Sequence, residues 1–407
     1  MSAGVSEGVK QYLIITGNYW AFTLTDGALR MLVVLHFHNL GYAPLQIAML
    51  FLFYEIFGVI TNLVGGWLGA RLGLNRTMNV GLVLQIIALG MLLAPPEFLT
   101  IPLVMAAQAL SGIAKDLNKM SAKSAIKLLV PKNASGTLFK WVAILTGSKN
   151  ALKGAGFFMG AVLLAALDFR GAMACMAGAL LLVWIFSLFF LKNDLGRAQN
   201  KPKFSEIFSK SAAVNILSAA RLFLFGARDV WFVVALPVYL SSILGWSHWS
   251  VGSFLALWII GYGFIQSVAP VLTGAGSGKV PGGRSAFFWA LTLSIIPLFM
   301  AWRLGEAANP EMLVIAGLGL FGFVFAVNSS LHSFLIVSFA KEDGVSLDVG
   351  FYYMANAMGR LIGTVLSGWI YQNYGLAACL WVSGGFILLA AMLTTPLMRT
   401  EAGSASP

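Results

Sequence analysis

The chain has 407 residues, of which 59% are hydrophobic and only 10% are charged, and its formal net charge is +11. Because a soluble globular domain is about 25% charged, this composition excludes a separate soluble domain of any size. It indicates a membrane protein built from many helices.

The first ten residues, MSAGVSEGVK, contain no small-residue cleavage pattern, so we expect no removable signal peptide. A membrane-spanning helix requires about 20 mainly apolar residues. Twelve segments meet this requirement, and they predict an all-α polytopic membrane protein with twelve transmembrane helices. In chain order the segments are 12–38, 44–69, 77–95, 100–126, 138–166, 171–191, 214–241, 250–272, 285–304, 311–339, 349–371 and 376–398.

Lysine and arginine are distributed unevenly among the connections between these segments. Cytoplasmic loops carry an excess of both residues. The connections after odd-numbered segments contain only Arg170 and Arg303, whereas those after even-numbered segments contain Arg71, Arg76, Lys127, Lys132, Lys192, Arg197, Lys201, Lys203, Lys210, Lys279, Arg284 and Lys341. We therefore expect both termini to be cytoplasmic. Topology thus explains most of the positive charge, which in a soluble protein would have suggested nucleic acid as a partner.

The longest connection, residues 192–213, divides the segments into six and six. It predicts an N-terminal six-helix half of residues 1–191, a cytoplasmic linker, and a C-terminal six-helix half of residues 214–407. Two pseudo-symmetric halves of this kind are typical of the major facilitator architecture, which binds its substrate between the halves near the membrane midplane.

Two further features support repeated halves. Segment 1 ends in Leu40-Gly41-Tyr42 and segment 7 in Leu244-Gly245-Trp246, and in that register Asp26 and Asp229 fall within one residue of equivalence. The loop GWLGARLGLNRT at residues 66–77 also resembles the facilitator loop pattern of glycines and bases, although an alanine stands where that pattern has an aspartate.

Charged residues deep inside the segments point to the transported species. A charge at the bilayer centre costs about 2.5 to 3.5 kcal/mol on insertion scales and tends to mark a pathway. Four deep acids, Asp26, Glu55, Asp116 and Asp229, oppose eight deep bases, which are Arg30, Lys115, Lys119, Lys149, Lys153, Arg221, Arg228 and Arg360. Because the acids cannot neutralise all the bases, we expect a basic central cavity, made chiefly by segments 1, 4, 5, 7 and 11, that binds an anion.

Helical spacing places several of these bases on shared faces, as for Lys115 with Lys119 and Lys149 with Lys153. The planar fork of arginine and the point charge of lysine both suit a multiply charged oxyanion. We expect Lys115, Arg228 and Arg360 to be the main anion contacts, followed by Arg30, Lys119, Lys149, Lys153 and Arg221. Neutral residues expected to add hydrogen bonds are Asn18, Tyr19, Gln108, Asn118, Asn328, Ser329, Ser330 and Tyr353.

Some of these residues have a second interpretation. Lys123 and Lys127 lie near the predicted cytoplasmic end of segment 4, where long side chains can extend their ammonium groups into water. Lys119 lies at an intermediate depth, so both interpretations apply to it. Asp116 and Asp229, each beside a base in the sequence, are expected to orient that base rather than to contact substrate.

Asp26 and Glu55 are candidate coupling or gating residues. Asp26 can equally form an intrahelical ion pair with Arg30, four residues away. Glu55 has no basic neighbour on its own helix, so it can act as a proton carrier or as a neutral, hydrogen-bonded structural residue.

Motifs of enzymes and metal sites are missing from the sequence. It has no HExxH motif, nucleophile elbow or phosphate loop. Its two cysteines, Cys175 and Cys379, lie in separate apolar segments and are expected to be small buried hydrophobes rather than a disulfide or a metal pair. We therefore expect neither an enzyme nor a cofactor.

At residue level the chain resembles the bacterial organoarsenical efflux permeases of the ArsJ type, within the major facilitator superfamily. The segments that carry the resemblance are GNYWAFTLTDGALRMLVVLHFHNLGY (17–42), LSGIAKDLNKMSAKSAIKLLVP (110–131), LFKWVAILTGSKNALKG (138–154) and ARLFLFGARDVWFVVALPVYL (220–240). The resemblance implies a bacterial inner-membrane protein that exports 1-arseno-3-phosphoglycerate, the ester that glyceraldehyde-3-phosphate dehydrogenase makes when arsenate replaces phosphate. Export of that ester would confer arsenate resistance.

Two alternatives stay open at this point. One is an organophosphate or sugar-phosphate exchanger, and the other is a membrane receptor or assembly factor that transports nothing. The sequence also leaves open whether export uses the proton gradient, phosphate exchange or the substrate gradient alone.

Overall fold

The computed structural model describes residues 2–41, 50–131, 134–191, 195–199, 202–207, 211–275 and 281–403. Throughout these ranges the regular structure is helical, which confirms the predicted fold class. Two short 3-10 turns, Pro96–Phe98 and Phe204–Ile207, accompany the helices. The helices are α1 (Ser2–Asn39), α2 (Leu52–Leu72), α3 (Leu74–Met91), α4 (Ile101–Leu129), α5 (Ser135–Phe190), α6 (Ala212–Phe232), α7 (Ala235–Ser242), α8 (His248–Leu272), α9 (Gly283–Arg303), α10 (Pro310–Phe339) and α11 (Val345–Gly403).

Two of these helices each contain two predicted membrane segments. In α5 the segments are separated at Asp168, whose φ of 59° is not helical, and in α11 they are separated at Gly375, whose φ is 77°. The carboxylate of Asp168 accepts a hydrogen bond of 2.8 Å from the backbone amide of Gly171, so it caps the helix that follows. Predicted segment 7, in contrast, is divided into α6 and α7 by a turn at Val233 and Val234.

Seven spans among the described residues are long and apolar enough to cross a membrane, and they consist of α3, α5, α6 together with α7, α8, α9, α10 and α11. The other long helices, α1, α2 and α4, carry many of the deep charges. The predicted start of segment 2, at residues 44–49, lies outside the described residues, as do the predicted loop bases Lys132, Lys192, Lys201, Lys210 and Lys279.

The chain folds into two compact units that change over between Ser209 and Lys210, within residues 192–213, and each unit also includes one stretch from the other side of that linker. Residues 135–147 of α5 belong to unit 2 although the rest of α5 lies in unit 1, and residues 345–354 of α11 belong to unit 1 although the rest of α11 lies in unit 2. Unit 1 consists of Met1–Ala134, Ser148–Ser209 and Ala340–Met354, and unit 2 of Ser135–Gly147, Lys210–Phe339 and Ala355–Pro407.

Each unit has its own apolar core. In unit 1 the core is formed by α1, α3, α4 and the second part of α5, around Phe22, Leu82 and Met173. In unit 2 it is formed by α6 to α11, around Trp231 and Phe321, whose rings meet edge to face with centroids 5.2 Å apart. These cores hold the helices that carry the deep charges in fixed positions.

Glycines bring one helix pair into close contact in each unit. A Cβ added at Gly156 of α5 would lie 3.1 Å from the Cα of Gly27 on α1. Likewise, a Cβ added at Gly363 of α11 would lie 3.0 Å from the Cα of Gly226 and 3.1 Å from the Cβ of Asp229 on α6. Small residues allow such backbone approach between membrane helices. These two contacts place the charges described below beside one another.

Candidate anion-binding clusters

Five of the predicted anion contacts lie together in unit 1. We call these five bases and the acids Asp26, Glu55 and Asp116 the lysine cluster. Its basic members are Arg30, Lys115, Lys119, Lys149 and Lys153. They are carried by α1, α4 and the part of α5 that belongs to unit 1, and Glu55 is carried by α2. Bases therefore outnumber acids by five to three in this cluster.

The side chain of Tyr54 on α2 connects several members of the lysine cluster. Its ring lies 3.8 Å from the guanidinium carbon of Arg30 and 3.8 Å from the ammonium nitrogen of Lys115, measured to the ring centroid. Its hydroxyl donates a hydrogen bond of 2.8 Å to the carboxylate of Asp26. A cation within about 6 Å of an aromatic ring is attracted to its face. Tyr54 therefore holds two cations and one acid without carrying charge itself.

Asp116 holds the lysines of α4. Its Oδ1 lies 2.5 Å from the ammonium of Lys119, and its Oδ2 lies 3.7 Å from the ammonium of Lys115. The first pair has i,i+3 spacing, which places both side chains on one helical face. This arrangement agrees with the prediction that Asp116 orients neighbouring bases.

Lys153 joins the cluster from α5. The charges that act on it are those of Arg30, Asp26, Lys149 and Lys115, so three cations and one carboxylate surround it electrostatically. No hydrogen bond or ion pair to its ammonium group occurs among the described residues. Lys153 thus joins the cluster as an amine without a bonded carboxylate among the described residues.

The remaining three predicted contacts, Arg221, Arg228 and Arg360, lie together in unit 2 with Asp229, and we call these four residues the arginine cluster. Asp229 bonds two of the arginines through different oxygens. Arg228 donates to Oδ1 from Nε at 2.6 Å and from Nη2 at 2.5 Å, and Arg360 donates to Oδ2 from Nε at 3.1 Å. Arg228 and Asp229 are neighbours on α6, whereas Arg360 comes from α11, so the carboxylate ties the two helices together.

Arg221 lies two helical turns before Arg228 on α6, and Phe225 lies between them. The ring centroid of Phe225 is 3.9 Å from the guanidinium carbon of Arg221 and 4.9 Å from that of Arg228. Arg221 also donates 2.9 Å and 3.1 Å hydrogen bonds to the side chain of Asn356 and the backbone carbonyl of Ser329. Its orientation is therefore fixed by three helices.

Asp116 and Asp229 lie deeper than the partly exposed bases around them, whereas Arg221 is itself buried. The side chains of Asp116 and Asp229 are 1% and 0% exposed, whereas those of Lys115, Arg228 and Arg360 are 15%, 16% and 37% exposed. The accessible surface of each cluster therefore has mainly positive groups, with the neutralising carboxylates behind them. Glu55 is the exception, with a side-chain exposure of 39%.

The structure pairs some predicted residues differently from the sequence interpretation. Arg30 bonds Glu55 on α2 at 3.0 Å, while Asp26 bonds Tyr54, so the intrahelical pair of Asp26 with Arg30 is not formed. Because an ion pair between helices depends on tertiary packing, spacing along one helix could not reveal it. The partner of Glu55 likewise lies on another helix.

The interpretation of Lys123 as a side chain that reaches into water is wrong. The residue is only 3% exposed, and its ammonium donates a 2.5 Å hydrogen bond to the hydroxyl of Tyr353. Lys127, one turn further along α4, is half-buried. Burial lowers its pKa, and the carboxylates of Glu342 and Asp348 oppose that shift.

Two aromatic residues that organise the clusters were not foreseen from the sequence. Phe225 is four residues after Arg221 and three before Arg228, so the helical spacing used for the charges would have found it. Tyr54, however, contacts charges on α1 and α4 from α2, and no sequence spacing encodes such a contact.

Other polar residues were also expected to contribute. Gln108 and Asn328 are fully buried, and their side-chain amides have no hydrogen-bond partner among the described residues. Since buried polar groups are nearly always hydrogen-bonded, water is the expected partner of these amides. Both cysteines are free thiols, but only Cys379 is buried, and Cys175 is exposed, contrary to expectation.

Comparison with known proteins identifies the fold. A profile of the family described as Major Facilitator Superfamily matches residues 13–280 and 217–407. No curated protein matches the sequence significantly.

Solved structures match over nearly the whole chain. The human organic anion transporter MFSD10 (TETRAN) has 15% identity and a TM-score of 0.73, covering 95% of this chain and 98% of that chain. A bacterial homologue of the iron transporter ferroportin in the outward-facing state has 16% identity and a TM-score of 0.69, covering 95% and 99%. The proton:xylose symporter XylE bound to 6-bromo-6-deoxy-D-glucose has 15% identity and a TM-score of 0.68, covering 95% of each chain. At these identities the likeness concerns the fold.

Proposed function

Because this chain belongs to the major facilitator superfamily and is therefore a membrane transporter, we propose that it exports a small organic anion with oxyanion groups at both ends. The observation that carries this proposal is the excess of partly exposed bases over buried acids in both clusters. In a transporter, such a surface attracts an anion and repels a cation. Membership of the superfamily also places the chain among transporters rather than enzymes.

The substrate we propose is 1-arseno-3-phosphoglycerate, which follows from the resemblance of residues 17–42, 110–131, 138–154 and 220–240 to the organoarsenical efflux permeases. This ester carries an arsenate group at one end and a phosphate group at the other. The lysine cluster suits a group that changes partners during transport, since ammonium groups on flexible stems can follow it. The arginine cluster suits a planar, directional contact with an oxyanion.

We further propose that the protein lies in the bacterial inner membrane with both termini cytoplasmic, and that it exports the ester by alternating access. Glyceraldehyde-3-phosphate dehydrogenase would supply the substrate inside the cell. Asp26 and Glu55 are the proposed coupling or gating residues.

The direct test is transport by purified protein in liposomes. Glyceraldehyde-3-phosphate dehydrogenase supplied with glyceraldehyde-3-phosphate, NAD+ and arsenate generates the arsenylated ester, and ordinary 3-phosphoglycerate serves as the comparison. We expect faster transport of the arsenylated ester. Equal transport of both would favour the organophosphate exchanger instead. Running the assay with and without a pH gradient identifies the energy source.

A cellular test uses Lys115→Met, which removes one ammonium from the lysine cluster. Cells producing this variant at normal levels are expected to become arsenate-sensitive. The matched control is Lys10→Met, because Lys10 is an exposed lysine on α1 outside both clusters. If Lys115→Met cells stay as resistant as wild-type cells, the lysine cluster does not serve transport.

A further inference from the structure

The first turns of α11 pack against α2 within unit 1. A Cβ added at Gly350 would lie 2.6 Å from the carbonyl oxygen of Asn62 and 2.8 Å from the Cα of Gly66. The hydroxyl of Ser346 donates a 2.7 Å hydrogen bond to the carbonyl of Gly66. The two helices therefore cross with their backbones in direct contact, which only glycine at position 350 permits.

This crossing places Tyr353 against α4. The ring centroid of Tyr353 lies 4.7 Å from the ammonium of Lys119 and 4.9 Å from that of Lys123, and its hydroxyl accepts the hydrogen bond from Lys123. Lys119 and Lys123 are only 9% and 3% exposed, and Tyr353 itself is 3% exposed. One neutral side chain thus covers two neighbouring cations.

The covering segment is also where the two compact units meet along the sequence. Tyr353 is the last residue but one of α11 that belongs to unit 1, and from Ala355 onward the helix belongs to unit 2. Residues 345–354 therefore form a short stretch attached to α2 and α4 at the end of a long helix whose remainder packs elsewhere. No non-helical residue separates this stretch from the rest of the helix before Gly375, so we expect it to move with the part of α11 that belongs to unit 2.

We propose that Lys119 and Lys123 form a loading site for an oxyanion group of the substrate at the cytoplasmic end of α4, and that Tyr353 is the lid of this site. In the conformation described, residues 345–354 lie on α2 and Tyr353 covers the lysines. When these residues leave α2, both ammonium groups face water and bind an oxyanion that arrives from the cytoplasm. This inference rests on the proposed function for the nature of the cargo.

The chemistry of the contact suits a reversible lid. A phenol carries no charge, so its contacts with Lys119 and Lys123 can be broken without separating an ion pair. Two ammonium groups one helical turn apart can both donate hydrogen bonds to one phosphate or arsenate group. Tyr353 and the oxyanion therefore cannot contact the two ammonium groups at the same time. Each movement of α11 away from α2 or back replaces one of them by the other.

The lid is tested by chemical accessibility, which requires no transport. In a background with Cys175→Ala and Cys379→Ala, Lys123→Cys is labelled in inverted vesicles with a membrane-impermeant anionic methanethiosulfonate. Gly350→Ala should prevent the crossing and raise the labelling rate about tenfold, since an uncovered thiol reacts far faster than a buried one. Gly368→Ala is the matched control, because a Cβ at that position of α11 meets nothing within 4 Å. Equal labelling rates for Lys123→Cys alone, with Gly350→Ala and with Gly368→Ala would overturn the proposal that Tyr353 is a lid.

A second accessibility measurement tests the affinity for anions, and it also applies if Gly350→Ala does not fold. Adding Lys119→Met to the Lys123→Cys protein should slow labelling by the anionic reagent about threefold relative to a cationic reagent of similar size, because one attracting charge is lost. An unchanged ratio of the two rates would overturn the anion site.

Transport separates this inference from the proposed function. Lys123→Met should raise the KM for the arsenylated ester about tenfold in inverted vesicles with little change in kcat, as expected when one charge-assisted hydrogen bond to the substrate is removed. An unchanged KM would overturn the loading site while leaving anion export intact. Absence of transport by the wild-type protein would overturn the proposed function, whereas the labelling experiments would still decide whether the lid exists.

Discussion

Asp26 in the lysine cluster and Asp229 in the arginine cluster make an informative comparison. The number of residues between Asp26 and Asp229 is the same as that between Gly156 and Gly359 and between Gly160 and Gly363. The two clusters therefore occupy corresponding positions in the sequence. Asp229 nevertheless bonds two arginines directly, whereas Asp26 bonds the neutral hydroxyl of Tyr54.

The difference shows that a shared helix contact can support two kinds of basic surface. In the arginine cluster, direct ion pairs fix two guanidinium groups to one carboxylate. In the lysine cluster, the ring of Tyr54 stands between Arg30 and Lys115, and the ammonium groups keep their flexible stems. We therefore expect the arginine cluster to be the rigid contact and the lysine cluster to be the adaptable one.

The largest expected effect comes from removing the central carboxylates. Asp229→Asn leaves the partly exposed Arg228 and Arg360 beside a neutral amide, which costs about 3 kcal/mol because charge-assisted hydrogen bonds are lost, although water still screens both arginines. Asp116→Asn should cost about 1.5 kcal/mol, because lysine stems can carry their charges toward water. Thermal unfolding in detergent measures both. Equal destabilisation would remove the distinction between a rigid and an adaptable cluster.

The next effect concerns the helix contacts beneath the clusters. Gly359→Ala would drive a methyl group into the backbone of Leu222, where the added Cβ would lie 2.8 Å from the carbonyl carbon. Overpacking of this kind costs about 1 to 3 kcal/mol. Gly156→Ala meets Leu24 and Gly27 at 2.7 Å and 3.1 Å and should cost less. A larger loss of thermal stability in Gly156→Ala would contradict the view that α6 and α11 form the tighter pair.

Exchanging the two basic residue types tests the comparison without removing charge. Arg228→Lys loses one of two hydrogen bonds to Asp229 and the stacking on Phe225, so we expect transport to fall about tenfold. Lys115→Arg keeps a cation beside Tyr54 and Asp116 and should change transport less than about threefold. Initial rates at equal protein density in liposomes provide the measurement. If the two exchanges are equally harmful, geometry matters as much for lysine as for arginine.

The smallest expected effect is that of Tyr54→Phe, which removes the hydrogen bond to Asp26 but keeps the ring against Arg30 and Lys115. We expect a loss of about 1 kcal/mol in stability. Tyr54→Leu also removes the ring and should lose about 1 kcal/mol more. If the Phe and Leu variants unfold at the same temperature, the ring contributes nothing to the lysine cluster.

Much of the fold followed from the sequence because length and apolarity alone define a membrane helix. The predicted segments for α3, α8 and α10 end within a few residues of the structural helices. The turn at Val233 and Val234 was not foreseen, since both residues are apolar and neither glycine nor proline marks the break.

The clusters were predictable in composition but not in their contacts. Each of the eight predicted bases lies in the lysine cluster or in the arginine cluster. Charge inside a membrane segment is rare, so its presence in the sequence was enough to identify these residues. Their partners come from other helices, as with Arg30 and Glu55, and spacing along one helix does not reveal such pairs. The burial of Lys123 was missed for the same reason, since depth along α4 says nothing about Tyr353 of α11.

The crossing of α2 and α11 at Gly66 and Gly350 has a consequence for how the transporter responds to temperature. Neither residue has a side chain, so separating the helices at this point exposes little apolar surface to water. The heat capacity change of a conformational transition grows with the apolar surface exposed, by about 0.45 cal/K/mol for each Å². This crossing therefore adds little curvature to the temperature dependence of the opening equilibrium, and a plot of ln K against 1/T is expected to be close to a straight line.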